Sequence, residues 1–217
     1  MGRVWYFCCF GLMLALLACH SDHVKVKRDY WPNKNPKSVL QYEDGRLNGL
    51  CCWYFENGKP EMEVMYKDNK LHGLSKRWYE NGNLMEEAWY KDGQLDSVLH
   101  GYSLKGILVA EANYKNGKLN GEYRRWYENG KVFKEGQYVD DMMDGSWFVF
   151  YPEGQLAASA NFNKGTGTQT SYEQSGYKCL VTNYVDNEKH GKETYYNPDG
   201  TVTRVAMYEK GEWIGDE

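Results

Sequence analysis

Glu-Asn-Gly recurs at residues 56–58, 80–82 and 128–130, at intervals of one and two times 24 residues. A fixed period of that length means that one supersecondary unit is used repeatedly, so the repeat decides the fold before any local pattern does. The same spacing reaches Gly106 and Gly154, then Gly176 and Gly200 after a two-residue deletion, and backwards Lys34. Counted from these residues, taken as position zero, the chain holds eight units over residues 30–217.

Two columns of rings follow the period. Position −4 is Tyr30, Tyr54, Trp78, Tyr102, Trp126, Phe150, Tyr172 and Tyr196. Position +8 is Tyr42, Tyr66, Tyr90, Tyr114, Tyr138, Phe162, Tyr184 and Tyr208. The sequence has 19 Tyr, 8 Trp and 7 Phe, and these columns absorb 16 of the 30 that lie beyond residue 18, so most of the aromatic excess belongs to architecture. Rings beside 23 Gly suit strands and tight turns.

Each unit reads as two short strands and two turns. Pro32, Pro152 and Pro198 stand at position −2. A proline there would disrupt a two-residue hairpin but is favoured as the second residue of a type I turn, with a left-handed Gly closing a bulge at zero. That loop sets position −4 opposite +2, pairing Trp78 with Leu84, Trp126 with Val132 and Phe150 with Leu156. Alternation puts +6 on the face of +8, and Val64, Ala88, Ala112, Gly136, Ala160, Thr182 and Ala206 leave room there for rings. The second turn, as in Lys91-Asp92-Gly93 and Lys67-Asp68-Asn69, is expected to repeat the chemistry of the first. A glycine column at 49, 73, 121, 145, 167, 191 and 215, broken by Ser97, marks a bulge or close backbone approach. The fold class is therefore all-β, an elongated antiparallel meander of about eight 24-residue two-stranded repeats, a β-hairpin array. Sixteen strands at about 4.8 Å would extend roughly 75 Å before twist.

Residues 1–18 read as a lipoprotein signal peptide. Arg3 precedes an apolar run from Val4 to Leu17, 14 residues long, within the range of a secretory segment and shorter than a membrane-spanning helix. Leu16-Leu17-Ala18-Cys19 looks like a bacterial lipobox, making Cys19 the lipid-attachment residue and residues 19–29 an acylated tether. The expected location is the bacterial cell envelope, anchored to a membrane and facing the periplasm or exterior.

Tyr114 to Gly121 (Tyr-Lys-Asn-Gly-Lys-Leu-Asn-Gly) and Trp126 to Lys131 (Trp-Tyr-Glu-Asn-Gly-Lys) make the repeat recognisable. It resembles the variant MORN repeat found in bacterial YwqK-like antitoxin proteins. The resemblance implies hairpin arrays used for protein or lipid contact and brings no catalytic constellation. An exported chain could not neutralise a cytoplasmic toxin, so an envelope version, such as immunity against an incoming toxin, is the expectation.

Other features point away from chemistry. Lys and Arg number 26 against 30 Asp and Glu, a net charge of −4, which offers no footprint for nucleic acid. Cys51 and Cys52 fall on opposite faces of one strand, and Cys179 lies five units away, too far for a bridge. His72 and His190 read as solvated turn residues. Glu63, Glu87, Glu111 and Glu135 recur at +5 and read as a cross-strand charge ladder on the face opposite the ring columns, shared with Arg77 and Arg125. Hydrolase, nucleotide-binding and zinc-protease motifs are absent, so neither enzyme activity, a cofactor nor a metal is expected. Tyr123, Phe133, Trp147 and Phe148 are rings beyond those that the ladder needs and are the expected anchors for a protein partner, with Trp89 beside them. Trp89 and Trp213 would serve instead as platforms if the ligand were a glycan such as peptidoglycan; a structural spacer is the third expectation.

Overall fold

Two kinds of turn alternate along the chain, and their backbone conformations organise everything else. The structure, a computed structural model, describes residues 23–217; the signal segment and Cys19 lie outside the described residues. The strands are β1 (Val24–Tyr30), β2 (Pro36–Glu43), β3 (Arg46–Leu47), β4 (Gly49–Tyr54), β5 (Pro60–Lys67) and β6 (Lys70–Trp78). They continue as β7 (Leu84–Lys91), β8 (Gln94–Tyr102), β9 (Leu108–Lys115), β10 (Lys118–Trp126), β11 (Val132–Val139) and β12 (Met142–Phe150). The last are β13 (Leu156–Asn163), β14 (Thr166–Tyr172), β15 (Lys178–Val185), β16 (Glu188–Tyr196), β17 (Val202–Glu209) and β18 (Glu212–Asp216). They form one open antiparallel sheet in meander order, with no helix among the described residues. The expected hairpin array is present, with β3 and β4 sharing one strand position and β18 added after the eighth unit. Val24 to Asp29, expected to lie in a tether over residues 19–29, belong to β1 and pair with β2.

The first turn follows the expected geometry. All eight zero positions have positive φ, from Lys34 (70°) to Gly154 (100°). In each unit the zero N–H donates to the carbonyl at −3, and the −3 N–H donates to the carbonyl at +1, as in Gly82 to Tyr79 (2.8 Å) and Tyr79 to Asn83 (2.9 Å). The register places Trp78 opposite Leu84, Trp126 opposite Val132 and Phe150 opposite Leu156.

The second turn does not repeat the first. It is a two-residue loop with both central residues left-handed, such as Asp68 (50°) and Asn69 (64°), closed by the pair Lys67 and Lys70. This is the type I′ geometry, whose twist matches the flanking strands. Asx-rich pairs with no proline are its sequence signature.

The glycine column marks a bulge. Val64 pairs with Ser75 and Tyr66 with Leu71, so Met65 opposes three residues, 72–74. The same surplus recurs between β7 and β8, where Ser97 forms it without glycine. Between β13 and β14 it is missing: the register runs unbroken from Ala158 and Ser171 to Asn163 and Thr166. The two-residue deletion is the loss of this bulge, and β14 has seven residues where β12 and β16 have nine. The short unit is spanned by Asn187, whose Oδ1 accepts from the Met143 N–H (2.9 Å) and whose Nδ2 donates to the Asp141 carbonyl (2.8 Å). Elsewhere the equivalent bond reaches back only one unit, as from Leu47 N–H to Asn69. Gly165 permits this crossing, because a Cβ there would lie 2.8 Å from the Asn187 nitrogen.

Candidate binding surface

The extra residue in the first turn's bulge shifts strand parity, and this decides what each face carries. Arg77 pairs with Glu86, whereas Trp78 pairs with Leu84, so Met85 is surplus. As a result the two ring columns occupy opposite faces. Position +8 shares a face with +6 and +4; position −4 shares the other with −6 and +5, as the contacts of Arg124 with Trp126 (6.0 Å) and of Phe148 with Phe150 (6.4 Å) show.

On the +8 face, Cys51, Val64, Ala88, Ala112, Thr182 and Ala206 are buried along one line beneath flanking tyrosines. Burial pushes the hydroxyls of Tyr66, Tyr90, Tyr138 and Tyr184 above their usual range. Tyr123 and Trp147 join this line. Tyr138 lies edge-on to both, at 5.4 Å and 4.9 Å between ring centres, and Tyr123 is 5.9 Å from Trp147. Gly136 makes the space: a Cβ on it would sit 2.2 Å from the Trp147 ring. Trp147 is 2% exposed, so the expectation that it anchors a partner is corrected; it is a core residue. Tyr123 packs in the same cluster. Phe133 lies 5.1 Å from Tyr127, with the Arg125 guanidinium 5.9 Å from its ring.

One strand before Ala206 the same line carries a carboxylate. Glu193, 1% exposed, accepts from Thr182 Oγ1 (3.0 Å), Lys189 Nζ (2.5 Å) and Tyr195 OH (2.9 Å). Burial raises its pKa, but the three donors outweigh it and hold the carboxyl below its usual range. Burial likewise lowers Lys189, and the Glu193 contact reverses this and leaves it raised.

The opposite face carries the charge ladder, with different partners from those expected. Glu63, Lys76, Glu87, His100, Glu111, Arg124 and Glu135 register one after another across seven strands. Contacts of 3.1 Å (Lys76 and Glu87), 3.3 Å (His100 and Glu111) and 3.0 Å (Arg124 and Glu135) close it. Arg77 and Arg125 are on the +8 face instead, displaced by the parity shift. Cys51 and Cys52 do occupy opposite faces, registering with Val64 and Glu63. His72 does more than face solvent: its Nδ1 accepts from the Asp92 N–H (3.4 Å), holding the next type I′ turn.

Beside the ladder runs an apolar strip. Leu50 registers with Met65 and Leu74 with Trp89; Gly73 lies close against Met65, joining the two pairs. Leu50, Met65 and Trp89 are exposed, Trp89 by 50%, and Phe148 is exposed where the charged row ends. Trp89 and Phe148 therefore remain available to a partner, while Trp147 does not. Trp213 is exposed on β18, the last strand of the sheet. The sequence reading missed Leu50, Met65 and Leu74; the available signal was that +7 and −8 are apolar in adjacent units and polar in later ones, such as Gln137 and Glu122.

The sequence model of a family described as MORN repeat variant matches residues 47–68, 71–92, 119–140, 143–164 and 189–210, together just over half of the chain. The unmatched stretches include the unit with Ser97 and the shortened unit. No curated protein matches the chain.

Proposed function

The chain belongs to the MORN repeat variant family, whose repeats are typically membrane- or protein-interaction units, and from this we propose that it is a non-enzymatic binding protein of the bacterial envelope. It holds a protein partner against the −4 face of its sheet, and immunity or antitoxin activity is the sharpest form of that role. The observation that supports this reading is the strip of Leu50, Met65, Leu74 and Trp89. Among the described residues no second layer covers these side chains, Leu50, Met65 and Trp89 are exposed, and contiguous exposed apolar surface marks interaction sites. Charged side chains at the strip's border give it a polar rim, the common layout of a protein interface. Acylation at Cys19, inferred from the lipobox, would tether the array to a membrane.

Affinity capture from native envelope, with the full mature chain and a Trp89→Ser copy side by side, tests the reading. A single stoichiometric protein retained by the first and lost by the second is expected. Recovery of glycan alone moves the assignment to a glycan platform built on Trp89 and Trp213, and equal recovery by both copies removes the strip from the interface. Cys19→Ala should release the protein from the membrane fraction.

A further inference from the structure

Arg125 on β10 and Lys134 on β11 are directly paired across the sheet, like charge against like. The equivalent positions two units earlier hold Arg77 and Glu86, a complementary pair. Like charges directly opposite are destabilising. Nothing nearby offsets this one: neither cation forms an ion pair with any described carboxylate, although acids outnumber bases in the sequence, 30 to 26. Burial lowers the pKa of Lys134, and Arg125 lowers it further. Each cation is instead held over a ring, Lys134 Nζ at 4.6 Å from the Trp147 centre and Arg125 at 5.9 Å from Phe133.

The surroundings leave space. Arg125 is exposed, and the row beyond it continues through Ala110 and Gly101, where no side chain rises above a methyl. Phe133 and Tyr127 form an apolar shelf on the other side. Two fixed cations at the spacing of a registered strand pair can both reach one oxyanion, and a planar guanidinium favours a carboxylate or phosphate.

We propose that Arg125 and Lys134 seat a carboxylate carried by an acidic segment of a protein partner, with Phe133 and Tyr127 packing against the apolar side chains next to it. This rests on the protein-binding reading above and extends it to the +8 face. The absent counter-charge is supplied by the ligand, and Lys134→Glu would supply it internally.

The test uses the full mature chain, a fluorescent capped hexaglutamate peptide at low salt, and the variants Lys134→Glu and Lys210→Gln. Lys134→Glu should weaken peptide binding at least tenfold and raise the urea midpoint of the protein, since it recreates the Arg77–Glu86 arrangement. Lys210→Gln, in the exposed turn between β17 and β18, should bind as the parent does. Equal affinity of the parent and Lys134→Glu overturns the seat, as does displacement of the peptide by inorganic phosphate at lower concentration than by free glutamate peptide. If envelope capture persists while Lys134→Glu changes nothing, this inference fails alone; if the parent captures no protein, the wider reading fails with it.

Discussion

Trp147 and Glu193 occupy the same position of the repeat, seven residues before zero, on the same line of the same face, and both are almost wholly buried. One is the largest apolar side chain and the other a carboxylate. The comparison teaches that the repeat fixes where a side chain goes and how far it is buried, while its neighbours decide what chemistry can occupy the place. Around Trp147 the neighbours in the sheet are small or aromatic, Gly136, Ala160, Tyr123 and Tyr138, with the Lys134 ammonium over the ring face. Around Glu193 they are donors: Thr182, Lys189 and Tyr195. The first site is held by apolar burial and ring contacts, about 25 cal/mol per Å2 removed from water. The second gains little net energy, because its hydrogen bonds replace those to water, but is expensive to leave half-made.

The most damaging way to break this comparison is Trp147→Ala. The indole fills the space that Gly136 leaves, and its removal opens a cavity between two tyrosines. A loss of about 3–5 kcal/mol is expected, read as a shift of the urea midpoint at constant slope. A loss below about 1 kcal/mol would mean that Tyr123 and Tyr138 collapse into the gap and that the ring is not the keystone of this region.

Glu193→Gln sharpens the contrast through pH. At neutral pH the substitution should remove about 1–3 kcal/mol, since a charge-assisted bond to Lys189 is lost from a buried site. The folded carboxyl titrates below its unfolded value, which is about 4.3. Its contribution is therefore complete above that value and disappears as pH falls through the lower folded one. Lys189, raised in the folded state, has the opposite sign: its share is present at neutral pH and fades only as strongly alkaline conditions deprotonate it. Parent and variant should thus differ by a constant amount from about pH 6 to pH 9 and converge in acid. Curves that stay parallel down to pH 2 would show that the carboxyl titrates in the fold as it does in the unfolded chain.

The sequence made much of this visible and misled at three points, the second turn, the face of two arginines and the burial of Trp147. Period, ring columns, the type I turn and the −4 to +2 pairs were legible because each rests on local chemistry: proline at −2, a left-handed residue at zero, small side chains at +6. The second turn was misread because Asp-Gly suits both turn types, and the distinguishing feature, the lack of proline, is an absence. Face assignment failed for Arg77 and Arg125 because one surplus residue per turn reverses parity, and alternation counted through a bulge puts every later side chain on the wrong side. The burial of Trp147 was missed, although Gly136 is the smallest residue of its column and belongs to the adjoining strand. The two-residue deletion was seen as a break in the ruler; that it removes a bulge and leaves the strand intact follows only from pairing.

The smallest expected effect belongs to Trp147→Phe, and it tests what kind of site this is. The Trp147 Nε1 is buried with no hydrogen-bond partner among the described residues, whereas all the polar contacts of Glu193 are made. Phenylalanine keeps a ring between Tyr123 and Tyr138 but lacks the N–H and about three heavy atoms. The lost packing should cost about 1–2 kcal/mol, and relief of the unpaired donor should return about 1–3 kcal/mol. The two nearly cancel, so the urea midpoint should move by the equivalent of no more than about 1 kcal/mol in either direction. If phenylalanine proved as damaging as alanine, the N–H would have to be satisfied in solution, and the two occupants of this position would then obey one rule: every buried polar group is paired. A near-zero effect leaves them as different solutions, volume in one unit and hydrogen bonding in the other, on a backbone that constrains neither choice.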